Sequence, residues 1–538
     1  NATVSHSIIW NESFIGKQAH VSGALLCRRV DVRARARVDM GAVIGDEVMI
    51  GQGAVVAANV QIYPYKRVEP SAQVGESLIW QSTGVRSLFG ENGIDGLVGI
   101  DITPELALRV SQAFGSLLPK GSHVIVSRDA SRASRMIKRA LVAGLNSAGC
   151  NVRDLRVASP AINRFTTHDT RCVAGMHVRQ STLDPQIVEI HFFDKTGLDI
   201  APWEEKKVER LYFRGEFRRA FLDEVGDIIY PPRAIEYYSA GLSYALEHYQ
   251  LNDGWIKVVA DLSNGVGSVV LPQVVAGWHV NMLSLNPFSD AERSVISASD
   301  SEPDYLETLH AIELFGADFG IRFEPSAERV TLVSPTGEVL SGHTALHAMV
   351  DLWCRTDATG KPIAVPIAAS QVVEQIAART GHKVMRPGRS RRSLATLARS
   401  HDIGFAGSTS GGYIFADFLA SYDGIMTLGV LARMLATDGR SLSQVVAELP
   451  AHYMLESEIA CPPNRKGAVM RAVTERSAGM SPDLTEGVKV TVDGGWVLIL
   501  PHSSDPVVTV YSEGSDPAQA LALAEEWKAV VEAAATGG

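Results

Sequence analysis

The sequence predicts an α/β protein in which a left-handed parallel β-helix precedes three α/β domains and a smaller α+β domain. Two patterns indicate this fold class. An apolar residue recurs at every sixth position near the N-terminus, and strand and helix signals alternate from residue 88 onward. We expect the β-helix over 1–82, the α/β domains over 88–205, 222–342 and 343–450, and the last domain over 451–538.

The six-residue period continues through nine hexads. Its aliphatic positions are Leu26, Val32, Val38, Ile44, Ile50, Val56, Ile62, Val68 and Val74. A helix would rotate these residues around its axis, whereas flat triangular coils place them all in one core, so the alternative of an irregular β-rich stretch is less favoured. The register extends back through Ile9, Ile15 and Val21 with a slip of one residue. Because the repeat is already under way at Asn1, we expect an upstream segment that covers this end.

The later elements follow from capping and composition. Thr103 and Pro104 begin a helix that runs towards Leu118, since Thr caps helix N-termini and Pro is favoured at the first helical position. Short β-branched runs predict strands at 124–126, 256–262, 488–492, 496–500 and 507–511. Apolar periodicity and charge predict helices at 135–148, 202–221 and 517–534.

Composition excludes several classes of protein. Of 538 residues, 46% are hydrophobic and 20% charged, which is typical of a packed globular chain. A net charge of −10 argues against nucleic acid as a main partner. Five scattered cysteines indicate a reducing compartment without a cysteine zinc site, and no apolar run reaches the ~20 residues of a membrane span. We therefore expect a cytoplasmic protein with no membrane partner.

Three segments carry a family likeness: 89–96 (FGENGIDG), 103–107 (TPELA) and 127–132 (SRDASR). Together they resemble the opening of the α-D-phosphohexomutases, the phosphoglucomutase/phosphomannomutase family, and the likeness extends over residues 88–520 in that family's four-domain order. With a hexapeptide solenoid in front, the arrangement resembles bacterial mannose-1-phosphate guanylyltransferase-like proteins. That resemblance implies an upstream nucleotidyltransferase domain.

The resemblance implies a phosphoserine loop at 179–184, where the family reads Thr-Ala-Ser-His-Asn-Pro and this chain reads Arg-Gln-Ser-Thr-Leu-Asp. Ser181 stands at the phosphoryl carrier, and His191 replaces the family's lysine acid/base. Histidine can transfer protons near neutral pH. The alternative is that both are ordinary loop and strand-end residues.

The other three loops depart further from the family. The metal loop, Asp-Gly-Asp-x-Asp-Arg in the family, corresponds to residues 324–329, with Glu324, Ser326 and Glu328 at the ligand positions. Mg²⁺ demands near-ideal octahedral oxygen geometry, so we expect no conventional Mg²⁺ site, and Mg²⁺ as a cofactor only if the mutase is active. The sugar loop is aligned with Ser408, Ser410 and Gly411, and the phosphate loop with His502, Ser503 and Ser504. The family's final phosphate-binding arginine is Thr509.

Phosphoryl transfer depends on positioning and charge stabilisation, so these departures predict a catalytically degenerate mutase-like module. We expect it to belong to a sugar-nucleotide-synthesis protein and to act by ligand binding, regulation or scaffolding. An active phosphoglucomutase/phosphomannomutase working through Ser181 is the alternative, and a purely architectural spacer is a third. We expect a sugar phosphate or nucleotide ligand and a homo-oligomer. The candidate anion site consists of Arg386, Arg389, Arg391, Arg392 and Arg128, unless the first four form a solvated turn.

Overall fold

The computed structural model describes residues 2–64, 66–68, 70, 72–75, 77, 88–181, 184, 186–247, 255–275, 278–290, 305–462, 465–502 and 506–536. The chain divides into two compact units. One comprises Asn1–Leu88 and His452–Gly538, and the other comprises Phe89–Ala451. Over the described ranges, no helix is long and apolar enough to cross a bilayer.

Short strands recur through residues 3–74. They are β1 (Thr3–Ser5), β2 (Ile8–Ile9), β3 (Phe14–Ile15), β4 (His20–Ser22), β5 (Leu25–Leu26), β6 (Asp31–Val32), β7 (Arg37–Val38), β8 (Val43–Ile44), β9 (Met49–Ile50), β10 (Val55–Val56), β11 (Gln61–Ile62), β12 (Arg67–Val68) and β13 (Gln73–Val74). Each strand from β1 to β10 pairs in parallel with the third strand after it. Over the described residues this gives sheets ordered β1-β4-β7-β10-β13, β2-β5-β8-β11 and β3-β6-β9-β12.

The register of these sheets contains the one-residue slip that the sequence predicts. Val38 lies opposite Val21, 17 residues earlier, but opposite Val56, 18 residues later. The residues at the six-residue period from Leu26 onward are buried in a common apolar core. Gly41 turns with a φ of 79°, and a Cβ there would lie 2.2 Å from the Asn59 side chain, so this corner requires glycine.

The unit Phe89–Ala451 begins with an α/β layer. Its elements are β14 (Ile94–Leu97), α1 (Pro104–Leu117), β15 (His123–Arg128), α2 (Arg132–Ser147), β16 (Asn151–Val157), α3 (Pro160–Asp169), β17 (Ala174–Gln180), β18 (Ile187–Asp194), α4 (Pro202–Arg214), a 3₁₀ turn (Leu222–Glu224) and β19 (Ile228–Ile229). The sheet order is β14-β18-β17-β15-β16-β19, with β18 antiparallel to both of its neighbours.

Local capping decides where these helices begin and end. The Thr103 side chain accepts from the Leu106 amide, which confirms the predicted start of α1. Helix α2 begins three residues before the predicted position 135, because the Ser131 side chain caps it. The prediction of one helix over 202–221 is wrong beyond Arg214, since Gly215 adopts a left-handed φ of 67° and ends α4.

Two further α/β layers follow in this unit. Their elements are α5 (Ala234–Leu246), β20 (Ile256–Asp261), α6 (Gly267–Val274), β21 (Val280–Leu285), α7 (Leu306–Phe315), β22 (Phe319–Phe323), β23 (Val330–Val333), α8 (Gly342–Thr356), β24 (Ile363–Ala364), α9 (Val372–Ala378), β25 (Val384–Met385), α10 (Arg391–Ser400), β26 (Phe405–Gly407), β27 (Tyr413–Phe415), α11 (Gly424–Asp438) and α12 (Leu442–Ala447). The sheets β21-β20-β22-β23 and β25-β24-β26-β27 share one pattern, in which the last strand is antiparallel to its neighbour.

The C-terminal segment forms an antiparallel sheet with helices. Its elements are β28 (Tyr453–Ala460), α13 (Lys466–Arg476), β29 (Val488–Val492), β30 (Gly495–Pro501), β31 (Val507–Gly514) and α14 (Pro517–Thr536). The order β28-β31-β30-β29 is antiparallel throughout. These elements confirm the predicted strands and the predicted helix, and Trp527 and Val531 of α14 are buried in the same apolar cluster as residues of the sheet.

Candidate active site

Ser181 lies immediately after β17 and is 6% exposed. Its amide donates to the Ile187 carbonyl at 2.9 Å. The Asp129 carboxylate accepts from the amides of Gln180, at 2.6 Å, and Ser131, at 2.9 Å, and so fixes the backbone on either side of a small cavity. That cavity measures about 30 Å³ and is lined by Ser181, Ser326 and thirteen other residues. A volume of this size holds a few water molecules.

Beside Ser181, Arg179 projects from β17 into a group of carboxylates. Its Nε donates to Glu189 Oε2 at 2.7 Å and its Nη1 to Glu328 Oε2 at 2.9 Å. Glu324 Oε1 lies 3.7 Å from the same Nη1. Arg179, Glu189 and Glu328 are all buried. A buried guanidinium is thus matched by carboxylates from strand β18 and from the loop between β22 and β23.

A second arginine extends this network. Arg391 Nη1 lies 3.2 Å from Glu328 Oε1, and its Nη2 lies 3.2 Å from Asp199 Oδ2. The opposite oxygen of Asp199 accepts from Arg164 Nη2 at 2.6 Å. Cations and carboxylates therefore alternate from Arg164 to Glu189. Such a chain is stable in the interior because every buried charge faces an opposite one.

The titration of these carboxylates reflects their partners. Burial raises the pKa of Glu328, but Arg391 and Arg179 outweigh burial and lower that pKa to about 2. Burial likewise opposes ionisation of Glu189 and Asp199, yet the arginines beside them hold both pKa values well below the ordinary range. All three side chains are therefore ionised at neutral pH.

His191 lies on β18 within the same network. Its Nε2 lies 3.1 Å from Glu189 Oε2, and its Nδ1 lies 3.4 Å from Arg391 Nη2. Burial lowers the pKa of His191, although the hydrogen bond to Glu189 acts in the opposite direction. A neutral ring that donates from Nε2 and accepts at Nδ1 fits both contacts. His191 is absent from the described residues that line the cavity beside Ser181.

The structure brings the segment 324–329 and the segment 408–411 together. Ser326 Oγ lies 3.4 Å from Glu324 Oε1 and accepts from the Glu328 amide at 3.3 Å. In the second segment, Ser408 Oγ and Ser410 Oγ are 3.0 Å apart.

Gly411 forms the direct link between these segments. The Val330 amide donates to the Gly411 carbonyl at 3.0 Å. Gly411 has a φ of 78°, and a Cβ there would lie 2.1 Å from the Val330 carbonyl oxygen. Only glycine fits this close approach of the two backbones.

The candidate anion-site arginines are not gathered at one point. Arg386 pairs with Glu374 at 2.6 Å, Arg392 pairs with Glu205, and Arg391 belongs to the network described above. Arg389 lies in the turn before α10. Arg128 lies apart from these ion pairs, at the end of β15. An anion at 386–392 would therefore have to compete with carboxylates of this chain.

The phosphate-loop candidates belong to the other compact unit. The His502 amide donates to the Val507 carbonyl at 3.1 Å, directly after β30. Ser503 and Ser504 lie outside the described residues. Thr509 on β31 is buried.

Two segments match family models. Residues 86–219 match phosphoglucomutase/phosphomannomutase alpha/beta/alpha domain I, and residues 341–453 match alpha/beta/alpha domain III. Over 444 residues, this chain is 30% identical to a phosphoglucomutase/phosphomannomutase of Thermococcus kodakarensis. That alignment covers 80% of this chain and 96% of that protein. The chain belongs to the phosphoglucomutase/phosphomannomutase family.

Other relatives agree with this membership. A probable phosphoglucosamine mutase of Methanopyrus kandleri is 28% identical over 452 residues, which covers 82% of this chain and 97% of that protein. Among solved structures, a phosphoglucomutase/phosphomannomutase family protein from Burkholderia thailandensis superposes with a TM-score of 0.73 at 18% identity, covering 84% of this chain and 99% of that one. A putative phosphomannomutase from Thermus thermophilus gives a TM-score of 0.65 at 22% identity, covering 82% and 98%. These two structures support the phosphohexomutase fold.

The Mg²⁺ ion that membership of this family implies does not fit the residues present. Both oxygens of Glu328 lie 2.9–3.3 Å from guanidinium nitrogens, so they are already committed to cations. Mg²⁺ needs near-octahedral oxygens at about 2.0–2.1 Å, and the loop offers a serine hydroxyl between two glutamates. In the part of the chain that is described, no group of three or more His, Cys, Asp or Glu side chains could hold a metal.

Sequence reasoning missed the residues that define this site. Arg179 occupies the first position of the aligned phosphoserine loop, and its partner Glu189 and the pair Asp199 and Arg164 were not candidates. The sequence offered two signals. Arg179 stands where the family has threonine, and the aligned metal loop carries Glu324 and Glu328 where the family has aspartates.

Proposed function

We propose that this chain is a catalytically degenerate phosphohexomutase of sugar-nucleotide metabolism, which acts through ligand binding, regulation or scaffolding. One observation carries the proposal: the Arg179 guanidinium lies between Glu328 and Glu189, in the loop region where a working family member would hold a divalent cation. A fixed internal charge cannot exchange, and it neutralises the carboxylates that a metal would need as ligands.

The region beside Ser181 supports the same proposal. His191 has both ring nitrogens in contact with charged side chains, and it is not among the described residues that line the cavity beside Ser181. A general base must reach the proton that it removes, either directly or through one water. In this arrangement, His191 serves the network of buried charges instead.

A coupled mutase assay tests this proposal. The full chain is supplied with Mg²⁺, a hexose 1,6-bisphosphate activator, and mannose, glucose or glucosamine 1-phosphate in turn, the last because relatives are described as probable phosphoglucosamine mutases. Ser181→Ala is the matched control. We expect no difference between the two proteins. Turnover that disappears in Ser181→Ala would overturn the proposal and establish the alternative, an active mutase with Ser181 as phosphoryl carrier, which the likeness over 96% of a family member favours.

Cation binding gives a second test that does not depend on turnover. We expect no Mn²⁺ binding by the wild-type chain in electron paramagnetic resonance titrations. Arg179→Thr removes the internal cation and leaves Glu324, Glu328 and Glu189 facing one another, so this variant should gain Mn²⁺ affinity. Stoichiometric binding by the wild type that Ser326→Ala weakens would contradict the proposal.

We also infer that the parallel sheets of residues 3–74 form one left-handed β-helix. The parallel pairing of every third strand and the common core of the six-residue period support this inference. By resemblance to guanylyltransferase-like proteins, we propose an upstream nucleotidyltransferase, a sugar phosphate or nucleotide ligand, a cytoplasmic location and self-association through the solenoid. Light scattering on the chain, with and without residues 1–82, would measure that self-association.

A further inference from the structure

A groove lined by basic residues lies on the first α/β layer, between α2, the end of β16 and the segment after β19. Its volume is about 490 Å³, and its charged lining consists of Arg128, Arg135, Lys138, Arg139, Arg156 and Asp154. It shares no lining residue with the cavity beside Ser181 in the described part of the chain. Pockets of 300–1,000 Å³ are typical for small ligands.

Cations in this groove exceed the anions that could balance them. Five cationic side chains line it against one carboxylate, Asp154, which lies 2.5 Å from Lys138 Nζ. Among the described residues, Arg128, Arg135, Arg139 and Arg156 have no carboxylate within 4.0 Å. The whole chain carries a net charge of −10, so this concentration of positive charge runs against the average of the protein. Positive charge concentrated in a cleft attracts anions.

Arg128 makes the groove more than a solvated surface. Its side chain is 8% exposed, and it donates from Nη1 to the Asp129 carbonyl at 2.5 Å. A guanidinium has five N–H donors, and no other acceptor for Arg128 exists among the described residues. Burial, and then the charges of Arg135 and Arg139, lower the pKa of Arg128, although Asp129 and Asp154 act in the opposite direction. A bound anion would give the remaining N–H donors of Arg128 a charged acceptor.

The backbone of β16 is distorted at this groove. The pairing of β15 with β16 shifts register between Val126 and Ser127, and Arg156 adopts a left-handed φ of 62°. The Asp154 carboxylate holds that turn by accepting from the Arg156 amide at 2.7 Å. A left-handed φ at an arginine stores backbone strain. The distortion places Arg156 5.2 Å from the ring of Tyr230, which is 52% exposed.

Tyr230 continues the groove into a second space. A neighbouring cavity of about 670 Å³ shares Arg128, Asp154, Arg156 and Tyr230 with the first. The combined lining therefore holds five cations, the two carboxylates of Asp154 and Glu236, and the Tyr230 ring. Its volume exceeds what one inorganic phosphate would fill. Arginine forks match phosphate oxygens, and an exposed tyrosine ring offers a flat face to a planar group.

We propose that this groove binds an organic diphosphate of the nucleoside diphosphate class, with its phosphates at Arg128, Arg135 and Arg139 and its base on Tyr230. The inference gives the nucleotide ligand of the proposed function a specific site. It does not rest on the loss of mutase activity, because neither Ser181 nor the Arg179 network contributes to the groove. A working mutase could carry the same site. A negative result in the binding experiment below would therefore leave the outcome of the mutase assay unchanged, and the reverse also holds.

The test measures binding of a fluorescent N-methylanthraniloyl GDP to the full chain by anisotropy, with inorganic pyrophosphate as competitor. The perturbing variant is Arg135→Gln/Arg139→Gln, since both side chains are exposed on α2 and their loss leaves the core intact. The matched control is Arg210→Gln/Arg214→Gln, which removes two exposed arginines from α4 of the same layer. We expect the first pair to weaken binding by about tenfold or more, and the second to leave it unchanged.

Tyr230→Ala separates the two sources of a diphosphate group. We expect it to weaken binding of the nucleotide but not of pyrophosphate. Equal affinity for both probes, with no effect of Tyr230→Ala, would overturn the nucleoside assignment. Absence of binding, or equal losses in the two arginine pairs, would overturn the site itself. Displacement of the nucleotide by a short single-stranded RNA at lower concentration than by pyrophosphate would also overturn the assignment, since the groove would then belong to a nucleic-acid surface.

Discussion

Replacement of Arg179 by methionine is the sharpest perturbation of the buried charge network. The change keeps an unbranched side chain of similar length but removes the cation that lies 2.7 Å from Glu189 and 2.9 Å from Glu328. Removing one partner of a buried ion pair typically costs about 3–5 kcal/mol, because the remaining charge stays buried without compensation. Lowering the pKa of Glu328 from 4.5 to about 2 corresponds to about 3 kcal/mol, which agrees with the lower end of that range.

We therefore expect Arg179→Met to lower the free energy of unfolding of the unit Phe89–Ala451 by about 3–5 kcal/mol at pH 7.5. The loss should shrink at pH 5, because the uncompensated Glu189 and its neighbour His191 can take up a proton there. Urea unfolding followed by tryptophan fluorescence measures both values.

Arg329→Met is the matched control for this experiment. Arg329 belongs to the adjacent loop, its side chain is 39% exposed, and its nearest carboxylate oxygen, on Glu324, lies 3.8 Å away. Exposed pairs of this kind contribute about 0–1 kcal/mol. Equal losses in the two variants at pH 7.5 would refute the reasoning, since a compensating cation cannot be replaced without cost by an apolar side chain. A loss that does not change between pH 7.5 and pH 5 would show that packing, not charge, is responsible.

Three further predictions concern the rest of the molecule. Glu328 has a lowered pKa, so its contribution to the free energy of unfolding is complete above pH 4.5, and about 3 kcal/mol of it is lost as the pH falls towards 2. The urea midpoint of the wild type should therefore fall between pH 6 and pH 3, and that of Glu328→Gln should change less. Gly411→Ala should reduce thermal stability by about 1–3 kcal/mol, because its Cβ would lie 2.1 Å from a carbonyl oxygen, whereas Gly467→Ala, which meets nothing within 4 Å, should not. Ile44→Ala should destabilise the parallel sheets by about 2–5 kcal/mol, while Val43→Ala on the exposed face should have little effect. Thermal melts followed by circular dichroism measure both, and equal melting temperatures in the two variants would contradict the common core.

Much of the fold was predictable because its signals are local. The period of six, the capping Thr103 and the strand pattern of the C-terminal segment each lie within a few residues, and the structure agrees with all three. Errors occurred where one local residue outweighed the pattern. Gly215 ended α4 although the charged composition continued, since a left-handed glycine terminates a helix whatever follows it.

The aligned loops identified where chemistry would be sought, but their alignment could not show how the charges pair. Arg179 and Glu328 are 149 residues apart, and they meet only because β17 and the loop after β22 converge in the folded unit. The same packing commits Arg391 to Glu328 and Asp199, and it leaves Arg128 without a carboxylate within 4.0 Å among the described residues. Short-range patterns decide backbone conformation, whereas the partners of a charge depend on which distant segments share the low-dielectric interior. Tertiary structure therefore decided which charges are paired in the Arg179 network and which cations lack a carboxylate partner around Arg128.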